Sequence, residues 1–378
     1  MARNFGARAP SLPQGSFLGV KVKLLFALPG FHRYDRGAEV ALLSVARELA
    51  RGGEEVTVAG SGPARASEPY RYVQVPAVRR ERLERFPRIA PFRSETAWED
   101  ATFAANLALR VPLAPYDATV TCSFPFTHWA LRRGGQRRPA HIFVTQNGDW
   151  PAFSDDAEFR TFRCDGLVCT NPDYLARNQG RWRCALIPNG IDLDRFRPGP
   201  SARNALGIPE GKRVVLMVSA LIDSKRVLDG IRAVARLDDA VLVVAGDGPL
   251  RGEVLLLAEG LLPQRFKLVS LAAEQMPNLY RSADVFLHLS LLESFGNVFL
   301  EASASGLPVV AHDSDRLRWI LGEGHYLCDT TNPAELRTAL QAALREGPKS
   351  PREGIERYAW PSIAAEYRSF IEEAATRG

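Results

Sequence analysis

Apolar residues along this chain fall into two recurring arrangements. Short, nearly unbroken apolar and β-branched runs occur at Val20–Leu28, Glu55–Ala59, Ala118–Cys122, Ala140–Thr145 and Gly166–Thr170. Runs of this length without strict polar alternation, bounded by Gly, Pro, Asn or Asp, predict strands buried on both faces. Between them lie helix-period stretches: Pro29-Gly30 leads into a helix over Ala38–Arg51, and Asn171-Pro172 opens another. The pattern resumes later in the chain, with strands expected at Val214–Ser219, Ala240–Ala245, Phe266–Leu271, Val285–Leu289 and Pro308–His312. In the helix expected over Val227–Leu237, the residues Val227, Leu228, Ile231, Val234 and Ala235 make one apolar stripe. Strands alternating with helices predict a parallel sheet covered on both faces.

The two series are separated by residues 187–213, rich in Pro and Gly, which read as an interdomain link. The fold class is therefore α/β, with two tandem Rossmann-like, doubly wound domains and a cleft available between them. A length of 378 residues suits two domains, each with its own core. The first eighteen residues, rich in Pro, Gly and Ser, are expected to be disordered.

Composition removes several classes. With 46% hydrophobic and 24% charged residues the chain is neither collagenous, coiled-coil nor broadly disordered. A net charge of +5 falls short of the basic stripe that nucleic-acid binding needs, so no nucleic-acid partner is expected. The excess is concentrated: Arg71, Arg79, Arg80, Arg82, Arg85, Arg88 and Arg93 share one segment with Glu81 and Glu84. Pro76, Pro87 and Pro91 break any long helix there, leaving a solvated basic loop or a surface for anionic lipid or a phosphate-bearing acceptor. The five cysteines lack paired metal-ligand spacing and read as buried fillers in a reducing compartment. Without a signal-peptide core or an apolar run of membrane-spanning length, the expected location is cytoplasmic, with peripheral contact to an anionic inner membrane face as an option.

Two dinucleotide-like loops, Gly60-Ser61-Gly62 and Gly246-Asp247-Gly248, lack the third glycine, which is Arg65 in one and Arg251 in the other. Asp192-Leu193-Asp194 and Asp313-Ser314-Asp315 could suggest a divalent ion, but the first reads as a turn and the second lacks a further ligand. No metal is expected. The strongest constellation runs from Glu293 through Ser294, Phe295, Gly296 and Asn297 to Glu301. A strand ends before it and a helix starts within it, so free backbone N–H groups face the carboxyl end of the sheet, an anion site. Carboxylates on either side of that helix start suit sugar hydroxyls.

This spacing of two Glu with Ser-Phe-Gly between them resembles the donor-site signature of glycosyltransferase family 4, retaining enzymes of GT-B fold. Further motifs are similar in the same order: Arg36-Gly37-Ala38-Glu39, Ile187-Pro188-Asn189-Gly190-Ile191-Asp192, Val243-Val244-Ala245-Gly246-Asp247-Gly248-Pro249, and Tyr358-Ala359-Trp360. The resemblance implies an acceptor-binding domain over 19–195, a nucleotide-sugar donor-binding domain over 196–358, and a last helix in 359–378 crossing back to the first domain. It implies sugar contact by Glu293, ribose contact by Glu301, backbone contacts to the donor at Phe295, Gly296 and Asn297, and a diphosphate contact by Lys225. Gly37 would belong to the loop facing acceptor or phosphate.

Three positions depart from the family pattern. Its usual arginine falls at Ala220, which Arg226 is expected to replace; its first loop glycine is Arg36; and its histidine is Asn147, whose amide can hold a hydroxyl or donate to phosphate. Asp149 and His128 are candidates for acceptor contact. The implied reaction is hexosyl transfer from a nucleoside-diphosphate sugar, of uridine or guanosine type, to a glycan, lipid-linked or small-molecule acceptor. It would retain configuration and need no metal or resident cofactor. A catalytically silent nucleotide-sugar-binding scaffold and a sugar-nucleotide epimerase of the same fold are the alternatives.

Overall fold

The computed structural model describes residues 21–135, 138–155, 159–351 and 353–376. The expected disordered segment 1–18 lies outside them. Seven strands form the first sheet: β1 (Lys23–Ala27), β2 (Glu55–Gly60), β3 (Arg71–Gln74), β4 (Ala118–Thr121), β5 (Ala140–Val144), β6 (Gly166–Cys169) and β7 (Cys184–Leu186). Helices α1 (Gly37–Arg51), α2 (Glu95–Arg110), α3 (Phe126–Leu131), α4 (Trp150–Phe153) and α5 (Pro172–Asn178) connect them. After α6 (Arg203–Leu206), the second sheet holds β8 (Arg213–Val218), β9 (Ala240–Ala245), β10 (Phe266–Val269), β11 (Val285–His288), β12 (Val309–His312) and β13 (Tyr326–Cys328). Its helices are α7 (Val227–Ala235), α8 (Arg251–Leu261), α9 (Met276–Arg281), α10 (Asn297–Ala304), α11 (Asp315–Leu321) and α12 (Pro333–Glu346), with α13 (Trp360–Ala375) last.

Every strand pairing is parallel, in the orders β3-β2-β1-β4-β5-β6-β7 and β10-β9-β8-β11-β12-β13. Parallel strands need crossovers that cover both faces, which is why β9, Ala-Val-Leu-Val-Val-Ala, is buried at every position. Strand order reverses between β1 and β4 in one sheet and between β8 and β11 in the other. Helices leaving opposite faces at such a point open a crevice beyond the carboxyl ends of the strands.

Short strands β3, β7 and β13, with three or four residues each, were not expected from the apolar pattern. Their residues are half-buried, or exposed at the two ends of β3, so no continuous apolar run marks them. The Gly246-Asp247-Gly248 turn is a packing device: a Cβ on Gly246 would lie 1.9 Å from the Ser219 carbonyl oxygen, and one on Gly248 2.6 Å from that of Leu221. Those two glycines let the β9 turn press against the loop that follows β8.

The chain crosses between domains twice at one place. Ile187 packs in the first core, whereas Ile191 already belongs to the second, ahead of the boundary expected after residue 195. On the return, Tyr358 is buried in the second core and Ile363, Tyr367 and Phe370 of α13 in the first. The Ile191 amide donates to the Tyr358 carbonyl at 2.8 Å where the two crossings run side by side. Gly190 is required here, since a Cβ would sit 2.5 Å from the Trp360 ring.

Candidate active site

Loops leaving β1, β4 and β5 face those leaving β8 and β11 across a cleft of about 890 Å³. Glu293, Lys225, Asn147, Phe295, Gly296, Asn297 and Gly37 all line it. The backbone builds this convergence. Gly296 caps α10 in the left-handed region, φ 80°, where a Cβ would lie 2.6 Å from the Phe299 ring, and the helix begins at Asn297 facing the first domain. Phe295 turns its side chain into the second core, so it offers the cleft its backbone. Gly37 starts α1 opposite; a Cβ there would be 3.9 Å from Asn297 Nδ2.

The charged centre is Glu293. Lys225, on a tight 3₁₀ turn over Asp223–Lys225, donates to Oε1, and His288 Nε2 donates to the same oxygen at 2.9 Å. Burial works to raise the carboxyl's pKa, but hydrogen bonds and charge from His288 and Lys225 outweigh it and hold the group at about 2. Glu293 is therefore an anion at neutral pH, fixed in place by two donors. His288 escaped sequence reasoning because it closes an otherwise apolar strand. The signal was its position, five residues before Glu293 at the carboxyl end of β11.

An amide relay ties the domains together. Asn189 Nδ2 donates to Gln146 Oε1 at 3.0 Å and to Asn297 Oδ1 at 2.9 Å, while Gln146 Nε2 donates to Asn189 Oδ1 at 2.6 Å. The link, the β5 loop and the start of α10 thereby share one network. Next to it, Asn171 Nδ2 donates to the Ser294 carbonyl at 2.6 Å, and Arg316 bridges Asp173 at 2.5 Å and the Glu293 carbonyl. Asn147 lies exposed on the turn after β5, before Gly148.

Glu301 sits one turn into α10, outside the residues lining the cleft. Its Oε2 accepts from the Tyr280 hydroxyl at 2.7 Å, and burial raises its pKa. Glu39 does line the cleft, nearly buried, and was not singled out as a site residue. It fits because Gly30 lacks a Cβ, which would lie 2.0 Å from its Oε1.

Three expected contacts are corrected by the structure. Arg226 does not replace the arginine absent at Ala220: it is spent on Asp229 at 2.9 Å, the Leu289 carbonyl at 3.2 Å, and Thr330 Oγ1 and carbonyl at 3.0 Å each, behind the cleft wall. Asp149 is not an acceptor contact, because its carboxylate is held by Arg177 through two bonds of 2.9 Å and by Asn178 at 2.9 Å. His128 is fully buried, stacked on Phe162 and bonded to His141 at 3.0 Å. Burial and the nearby charges of His141, Arg132 and Arg138 push its pKa far down, so it is a neutral core residue. Asp192 Oδ1 accepts the Asp194 and Arg195 amides in a turn, and both oxygens of Asp313 pair with Arg318.

Residues 36–195 match the model of Glycosyltransferase Family 4, and residues 200–359 that of Glycosyl transferases group 1. The D-inositol 3-phosphate glycosyltransferase of Corynebacterium jeikeium is 32% identical over 280 residues, which cover 63% of this chain and 67% of the relative. The alpha-monoglucosyldiacylglycerol synthase of Streptococcus pneumoniae is 31% identical over 175 residues, 42% of this chain and 40% of that one. The chain thus aligns with between two fifths and two thirds of the length of these curated relatives. Among solved structures, sucrose-phosphate synthase from Thermosynechococcus elongatus superposes with a TM-score of 0.76 at 20% identity, covering 95% of this chain and all of that one. Anabaena HepE, solved with UDP and glucose, gives 0.65 at 18% identity, covering 93% and 95%. Two parallel-sheet α/β domains facing across a cleft are the GT-B fold, and the chain belongs to the family 4 glycosyltransferases.

Proposed function

We propose that this protein transfers a hexosyl group from a nucleoside-diphosphate sugar to an acceptor hydroxyl, with retention of anomeric configuration and without a metal ion. The observation that carries this reading is the ionised Glu293, held by Lys225 and His288 beside the start of α10 at the base of the interdomain cleft. The diphosphate would lie against the α10 N-terminus and Lys225, and Glu301 would hold the ribose. Asn147, Gly37 and the first-domain wall would face the acceptor. The base is of uridine or guanosine type in this reading; HepE, a fold neighbour, was solved with UDP.

Chemically, the departing phosphate accepts the acceptor's proton on the face where the new bond forms. Lys225 and the helix start stabilise the charge that develops there, while Glu293 orients the transferred sugar. Contacts across the cleft from Asn171, Asn189 and Arg316 hold the domains together, and closure over the donor would exclude water. The acceptor is a glycan, lipid-linked or small-molecule hydroxyl. Two curated relatives are named for inositol phosphate and diacylglycerol chemistry, which favours an anionic or lipid-linked one. No helix among the described residues is long and apolar enough to cross a membrane. A cytoplasmic site with peripheral contact through exposed Arg79, Arg82, Arg85 and Arg88 beside Phe86 and Ile89 fits this reading.

Thermal shifts with uridine, guanosine, adenosine and deoxythymidine diphosphates and their sugar conjugates, with and without magnesium, test the donor half. A selective shift that needs no magnesium is expected. Failure of every nucleotide to shift the parent protein would sink the reading.

A further inference from the structure

The first-domain wall of the cleft carries a cation cluster to which the donor contacts proposed above give no role. Arg36, Arg80 and Arg93 all line it. Arg36 and Arg80 share one platform, their guanidinium carbons 4.1 and 4.9 Å from the Tyr34 ring centroid. Arg36 makes no salt bridge among the described residues. Arg80 is paired with the buried Glu99 at 2.5 Å, yet its Nε is buried with no hydrogen-bond partner. The carboxylates on this wall are Glu99, also 3.8 Å from Arg33, together with Glu39 and Asp100, whose burial raises their pKa. Arginine forks suit phosphoryl oxygens, and a stacked guanidinium loses little freedom on binding one.

We propose that this wall binds a phosphoryl group on the acceptor, so that the hydroxyl being glycosylated belongs to a phosphorylated molecule. The inference rests on the transferase reading for the word acceptor, and on the cluster itself for the anion. Arg36 and Arg93 would set acceptor specificity; Arg80 is positioned by Glu99. Either a soluble polyol phosphate or a lipid headgroup phosphodiester supplies the same chemistry.

The test uses the full chain with its donor end filled by the nucleoside diphosphate that gives the largest thermal shift. Glycerol 3-phosphate and phosphatidylglycerol vesicles are the probes, with glycerol as the uncharged control and phosphatidylcholine vesicles as the zwitterionic, net-neutral one. Glycerol 3-phosphate is expected to raise the melting temperature, and Arg36→Ala and Arg93→Ala each to weaken that response about tenfold or more. A response to vesicles alone, lost in the same variants, assigns the lipid source and also supports the site. No response to either phosphate probe overturns the proposal, as does an equal response in parent and arginine variants. Variants that lose nucleoside-diphosphate affinity while keeping the phosphate response overturn it too, and place the arginines at the donor. If no nucleotide binds but the arginine-dependent phosphate response persists, the anion site stands and the transferase reading falls.

Discussion

Lys225 and Glu293 form an ion pair at the base of the cleft, joined on the same carboxylate oxygen by His288. The pair is poised: the lysine that would meet a diphosphate is held beside the carboxylate that would meet the sugar.

Replacing Glu293 with Gln keeps the shape and removes the charge. The rate of nucleoside diphosphate release with acceptor present should fall about 10²–10³-fold. Because the folded carboxyl is held at about 2 against an ordinary 4.5, its pairing stabilises the protein above pH 4.5 and is lost as pH falls toward 2. The melting-temperature gap between parent and Glu293→Gln should therefore narrow over that acid range. A gap that widened there would contradict the assigned ionisation.

Glu301→Ala tests the ribose contact. Nucleoside diphosphate affinity should drop about tenfold, as expected for losing a hydrogen bond, while the affinity for inorganic pyrophosphate stays unchanged. Equal losses for both ligands would mean that the variant has disturbed α10 instead.

Arg226→Ala should destabilise without touching donor affinity. The side chain stitches the start of α7 to Leu289 and Thr330, and its removal leaves those acceptors without their donor. A loss of about 2 kcal/mol in chemical unfolding is expected, with donor affinity within a factor of about two. A selective loss of donor binding would restore Arg226 to the site.

Arg316 joins the domains by holding Asp173 and the Glu293 carbonyl together. Arg316→Ala should raise the radius of gyration in solution scattering and raise donor KM by about three- to tenfold, with kcat falling less. An unchanged scattering profile with normal KM would show that the amide relay through Asn189 holds the cleft alone.

Local pattern alone marks the strands with continuous apolar runs, the helix starts at Gly, Pro or Asn, and the loop from Glu293 to Glu301. These depend on local backbone preference and on apolar periodicity, which neighbouring residues carry between them. Lys225 and Asn147 were marked by the family resemblance and not by local pattern, and both line the cleft. Only the tertiary structure decided how side chains were spent. Arg226, adjacent to Lys225, turns away because acceptors just beyond β11 and β13, at Leu289 and Thr330, lie behind it; Asp149 meets Arg177 from another helix, and His128 is enclosed by Phe162 and His141. His288 becomes part of the site, and Arg80 and Arg93 enter the cleft, through the same non-local geometry. Burial and charge pairing are set by residues far apart in the chain, so a motif names a loop, and packing decides which of its side chains reach the cleft.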